Sequence, residues 1–123
     1  MGVLFTSKNL PNKGKRFAVE RILRSVPYAD GFSFFIDIGQ PTKKTATSLE
    51  QFAKELEVVD INSVSFHFER ADFQEWISKI LEDVVLSRRL DKIPKDIVGA
   101  SLRKKIIEIV KERTDELIKF QLS

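Results

Sequence analysis

The segment Ser63–Leu81 (SVSFHFERADFQEWISKIL) constrains the fold more than any other stretch of the chain. In its second half Phe73, Trp76, Ile77, Ile80 and Leu81 recur at helical spacing, so one face of a helix must be buried. Its first half alternates instead. Val64, Phe66 and Phe68 separate Ser63, Ser65, His67 and Glu69 with the period of a strand. Asp72, with Glu75 three residues later, is placed to cap the helix. The only tryptophan and the only histidine of the chain fall within this segment.

Other segments extend the pattern. Val3–Ser7 reads as a short strand, Asn9–Lys15 as a basic, turn-rich loop, and Arg16–Val26 as a helix stopped by Pro27. Gly31–Ile38 is a strand, with Phe32, Phe34, Ile36 and Ile38 on one face and Ser33, Phe35 and Asp37 on the other. Gly39–Thr47 reads as a loop, broken by Gly and Pro and containing Lys43 and Lys44. A helix opens at Ser48, with Thr47/Glu50 or Ser48/Gln51 as its capping box and Leu49, Phe52, Ala53 and Leu56 on one side. Helices are expected around Val84–Leu90 and, after the break at Pro94 and Gly99, over about Ser101–Phe120. The expected unit is a strand–helix–strand with a parallel, right-handed crossover. C-terminal helices cover it, giving a small two-layer α+β (or α/β) domain. The sequence divides into a basic N-terminal extension, 1–29, and a single compact domain, 30–123.

A chain of 123 residues with 42% apolar side chains is long enough to bury a core, and ten phenylalanines point to an aromatic one. With no cysteine, disulfides and thiolate zinc are excluded. No apolar run reaches membrane-spanning length, and residues 1–16 lack the order of a signal peptide or a convincing myristoylation context. A cytoplasmic protein is the expectation. Charged residues make up 32% of the chain, a bias shared with thermophilic proteins. Net charge is only +3, yet it is segregated: +4 over residues 1–30, −2 over 31–62, −3 over 63–83 and +4 over 84–123. Either the basic ends fold onto the acidic middle, or they meet an external acidic partner.

The stretches GFSFFIDIGQ, PTKKTATS, LEQFAKEL, VSFHFE and Asp72-Phe73-Gln74-Glu75-Trp76-Ile77, followed by LRKKIIEIVKER, resemble a small archaeal and bacterial family labelled only as a domain of unknown function. The resemblance spans roughly residues 30–115 and is carried by a strand-borne histidine followed by an Asp-Phe-x-x-Trp-Ile helix. It implies an archaeal, thermophilic origin and places the motif's histidine, aspartate and tryptophan at His67, Asp72 and Trp76. It implies no reaction.

Three function classes follow. In a parallel sheet Asp37, Lys43, Lys44, His67, Glu69 and Asp72 would converge at the strand ends. A carboxylate-oriented His67, with Asp37 or Glu69, would then move protons, and the two lysines would hold an anion. Against this, the chain has one histidine, no nucleophile signature and no Walker loop, and a strand histidine paired with a neighbouring carboxylate is the plainer reading. No ligand spacing for a metal is present, and no cofactor is implied. Direct RNA or DNA contact would use Lys8, Lys13, Lys15, Arg16, Arg103, Lys104 and Lys105, although no sequence-specific recognition motif accompanies them. Helical phasing assigns Trp76 to the core, whereas Phe35 on the polar strand face marks a partner surface. The favoured expectation is a non-enzymatic binding or regulatory module acting through a protein or ribonucleoprotein partner.

Overall fold

The computed structural model describes residues 14–123. The expected strand at Val3–Ser7 and most of the basic loop after it lie outside the described residues. Helix α1 covers residues 14–23, and a 3-10 turn at Tyr28–Asp30 leads into strands β1 (Phe32–Asp37) and β2 (Gln40–Ala46). Helices α2 (Leu49–Val58), α3 (Ile61–Glu69), α4 (Asp72–Lys79), α5 (Val84–Asp91) and α6 (Gly99–Leu122) follow. The described chain is 65% helical and 12% strand, a small α+β domain.

Two expectations are overturned. Residues 40–46 are a strand rather than a loop, pairing antiparallel with β1 in the register Phe32↔Ala46, Ser33↔Thr45 and Phe34↔Lys44. Their Pro and two Lys disguise a sheet edge, where such residues block further pairing. A two-residue turn joins the strands, with Gly39 at φ 72°. Gly31 is required where β1 starts: a Cβ there would lie 2.8 Å from the Ala46 carbonyl.

Ser63–Glu69 is a helix rather than a strand, so no parallel crossover exists among the described residues. Over seven residues both periods fit, because Ser63, Val64, His67 and Phe68 also form an i, i+1, i+4, i+5 stripe, and these four are the buried ones. The deciding local signal is Asp60, whose carboxylate accepts the Asn62 amide as the N-cap. Helix α4 departs from expectation at its start. Its N-cap is Ala71, in the left-handed region at φ 60°, and Asp72 is the first helical residue, with its carboxylate turned back toward α3. Ser48 caps α2 by accepting the Gln51 amide at 3.1 Å, while the Gln51 side chain reaches back to the Thr47 amide at 2.8 Å.

The helices cover one face of the hairpin. Phe32, Phe34, Phe52, Phe73 and Trp76 form an aromatic centre, with Phe34 and Phe52 stacked 5.8 Å apart and Phe32 edge-on to Phe34 at 4.9 Å. The buried face of α6, Leu102, Ile106, Val110 and Leu117, closes the far side. Helix α1, expected as part of an extension, supplies Val19 and Ile22 to the same core, followed by Val26. The Val26 amide bonds the Thr47 carbonyl at 2.8 Å, and Arg24 bonds the Ile80 carbonyl at 2.9 Å.

Candidate functional site

His67 sits on the inner face of α3, 5% exposed, with Phe32 edge-on at 4.7 Å and Phe73 at 5.6 Å. Both ring nitrogens are committed. The Phe35 amide donates to Nε2 at 2.8 Å, which requires that nitrogen to be unprotonated. Nδ1–H therefore donates to Asp72 Oδ2, also at 2.8 Å, and Arg70 Nε donates to the same oxygen at 2.9 Å. Burial pushes the imidazole pKa below its ordinary 6.5; the bond to Asp72 and its charge oppose the shift, and Arg70 adds to it. The ring is a neutral strut between β1, α3 and the start of α4.

The reason for the strut lies in the hairpin. Opposite Phe35 stands Pro41, and the register slips on both sides of Phe35. Thr42 Oγ1 bridges this irregularity by donating to the Phe34 carbonyl at 2.8 Å, while the Phe35 amide, on the side of β1 turned away from β2, is taken by His67 rather than by a strand. A buried amide left without a partner would cost roughly 1–3 kcal/mol.

Beside this strut a cleft of about 400 Å³ opens between β1 and α4. Phe32, Ser33 and Phe35 form the strand wall, Asp72, Glu75 and Trp76 the helix wall, and His67 reaches it from α3. Trp76 is 7% exposed, and its Nε1–H is held by the Asp30 carbonyl at 2.8 Å, which fixes the indole within the wall. Phe35 is half-buried, and so is Phe66, whose ring lies 5.0 Å from His67 beneath the Arg70 guanidinium. A second groove of similar size, about 410 Å³, runs between α2 and α6. Four of its five charged residues pair with each other, Lys54 with Glu50 and Lys111 with Glu57, and Asp115 is the fifth.

The structure separates the constellation expected at the strand ends. Glu69, two residues after His67, lies about 200° around the helix and is exposed. Asp37 is exposed at the hairpin turn, where its carboxylate accepts the Ile38 amide. Lys43 is exposed, and Lys44 leans toward Glu55 at 3.9 Å. Of the expected group only His67 and Asp72 meet, with Arg70, which the sequence reading passed over although its offset of two residues from Asp72 was visible. Among the described residues no cluster of His, Asp or Glu could hold a metal ion.

The basic candidates are also dispersed. Lys8 and Lys13 lie outside the described residues. Lys15 stands over the Phe120 ring at 4.7 Å, near the end of α6, whereas Arg103 is near its start, about 25 Å away along the axis. Arg103 donates to the carbonyls of Leu56 and Val59, completing the C-terminus of α2. Arg16, Lys104 and Lys105 are exposed. Several basic residues of the terminal segments bridge to acids of the middle: Arg21 to Glu82, Lys111 to Glu57 and Arg113 to Asp83.

Comparison of the chain with protein-family profiles, curated proteins and solved structures found no match. His67, Asp72 and Trp76 all line the β1–α4 cleft. No helix among the described residues is long and apolar enough to cross a membrane.

Proposed function

We propose that the protein is a non-enzymatic binding module that engages a protein partner through the cleft between β1 and α4. The observation that carries this reading is the commitment of both His67 nitrogens beside a cleft walled in part by the half-buried Phe35. A general base needs a nitrogen free to take a proton from a substrate, and this ring has none to offer while the hairpin is intact. Phe35, Phe66 and Arg70 form the kind of aromatic and guanidinium surface enriched at protein interfaces. The dispersal of Lys15 and Arg103 to opposite ends of α6 favours a protein partner over a phosphate backbone, which needs a continuous basic stripe.

The test is capture of partners from native lysate on the immobilised protein, with and without nuclease, in parallel with Phe35→Ser. A protein retained after nuclease and lost with Phe35→Ser supports the reading. If capture is abolished by nuclease and by joint replacement of Lys15, Arg16, Lys104 and Lys105 with Ala, while Phe35→Ser has no effect, the reading gives way to direct nucleic-acid binding.

A further inference from the structure

The two edges of the hairpin are built differently. The outer edge of β2 carries Pro41, Lys43 and Lys44, with Lys43 forced into the left-handed region at φ 69°. These are the devices that keep a strand from adding another. The other edge, on β1, reads Phe32-Ser33-Phe34-Phe35-Ile36 and has none of them. Backbone alternation shows which way its polar groups point. The Phe35 amide faces His67, away from β2, so the amide and carbonyl of Ser33, two residues earlier, turn to the same side. His67 covers the edge at Phe35, and Trp76 covers it before the strand starts by taking the Asp30 carbonyl. Ser33 lies between these two plugs, exposed and on the wall of the β1–α4 cleft.

From this we infer that the cleft accepts an extended segment of a partner protein, which adds to β1 by antiparallel pairing with Ser33 and presents a basic side chain to Glu75 and Asp72. The inference rests on the binding-module reading above and adds the chemistry of the occupant. Strand addition uses an unguarded sheet edge for affinity and flanking pockets for side-chain selection. Both requirements are met at this one place in the hairpin. The charge preference follows from the helix wall. Asp72 spends one carboxylate oxygen, Oδ2, on His67 and Arg70 and leaves Oδ1 without a hydrogen bond. Glu75, 68% exposed at its side chain, shares the cleft with Lys79, whose Nζ lies 3.7 Å away, so the lining carries two carboxylates against one ammonium. The segments that build the cleft belong to the acidic middle of the chain, which sums to −2 over residues 31–62 and −3 over 63–83. A lysine or arginine on the incoming strand is therefore favoured over an acidic residue.

The experiment is a selection of phage-displayed random heptapeptides on the intact protein, on Ser33→Pro and on Glu75→Lys. Proline at 33 deletes the edge amide and, with it, only the exposed 3.3 Å contact of Ser33 Oγ with Thr45 Oγ1 on β2, and Glu75 is an exposed helix position whose reversal leaves the core alone. The expected result is enrichment of β-branched residues around one fixed Lys or Arg position. Affinity of the selected peptide should fall at least tenfold on Ser33→Pro, and the charge preference should invert on Glu75→Lys. Failure to enrich any peptide overturns strand addition, as does selected-peptide binding within twofold of wild type on both variants. Either failure, combined with a nuclease-resistant partner lost on Phe35→Ser, would leave the binding module standing and remove only its strand-pairing chemistry.

Discussion

His67 shows how one side chain is selected by three neighbours at once. Its Nε2 must accept because the Phe35 amide points at it, its Nδ1 must donate because Asp72 lies 2.8 Å away, and its ring must fit edge-on among aromatic neighbours. A proton on Nε2 would set two donors against each other, so the folded state holds the neutral form. The unfolded chain protonates at the ordinary value of 6.5, above the folded one, and so binds more protons in between. The stabilising contribution is thus complete above pH 6.5, shrinks as the pH falls from there toward the lowered folded value, and levels off beneath it. Urea midpoints measured across this range should fall on acidification, and His67→Gln should flatten that slope. His67→Ala should cost at least about 1–3 kcal/mol at neutral pH from the stranded Phe35 amide alone. Phe34→Ala, at a site with no solvent exposure in the stacked aromatic centre, should cost about 3–5 kcal/mol by the same denaturation assay.

At the scale of elements, the junction of α4, α5 and α6 depends on Asp83. This carboxylate is buried, caps α5 through the Leu86 amide at 3.1 Å, and receives Arg113 Nε and Nη2 at 2.9 and 3.0 Å. Arg113 also touches Glu116, which Arg89 grips with two bonds. That guanidinium holds the Glu116 carboxyl below its ordinary pKa. Arg113→Ala leaves a buried carboxylate with only its cap bond and should destabilise the protein by about 3–5 kcal/mol, read from urea unfolding. Arg113→Lys keeps the charge without the two-pronged geometry and should recover part of that loss. Elements with long or unambiguous patterns were legible in the sequence: the Phe73–Leu81 stripe, the Ser48 cap, the strand after Gly31 and the long final helix. The misread ones were short and carried two valid periods or none. Ser63–Glu69 fits both strand and helix until α3 is packed against β1 and α6. Gln40–Ala46 hides its pairing because it has no apolar face to display: only Ala46 of the strand is buried. Since the site depended on the phase of residues 63–69, His67 was identifiable as a distinctive residue but its partners were not: strand phasing offers Asp37 and Glu69, helix phasing leaves Asp72. That Phe35 lies off the core-facing side of β1, half-buried, was readable from strand alternation alone.

The whole molecule is held together through its ends. Helix α1, expected as an addition outside the domain, places Val19 and Ile22 in the common core, with Val26 following, and is tied by Arg21 to Glu82 and by Arg24 to the Ile80 carbonyl. Each such apolar side chain is worth about 1.5–3 kcal/mol, against a total stability of about 5–15 kcal/mol for a domain. A chain starting at Asp30 should therefore lose its cooperative thermal transition or melt far below the full chain in calorimetry. An unchanged transition would restore the boundary at residue 29. The basic-ended, acidic-centred charge pattern is in part consumed internally by bridges such as Lys111 to Glu57, while the cleft beside His67 keeps Asp72 Oδ1 and the exposed Glu75 on its wall.

That conclusion turns on whether His67 belongs to the frame or to chemistry. Heteronuclear NMR of the imidazole nitrogens reads this directly. The expected result is a neutral ring at about pH 8 carrying its proton on Nδ1, with a hydrogen-bonded Nδ1–H resonance, and a titration midpoint below 6.5. A ring protonated on Nε2, or one that titrates at or above the free value of 6.5, would contradict it.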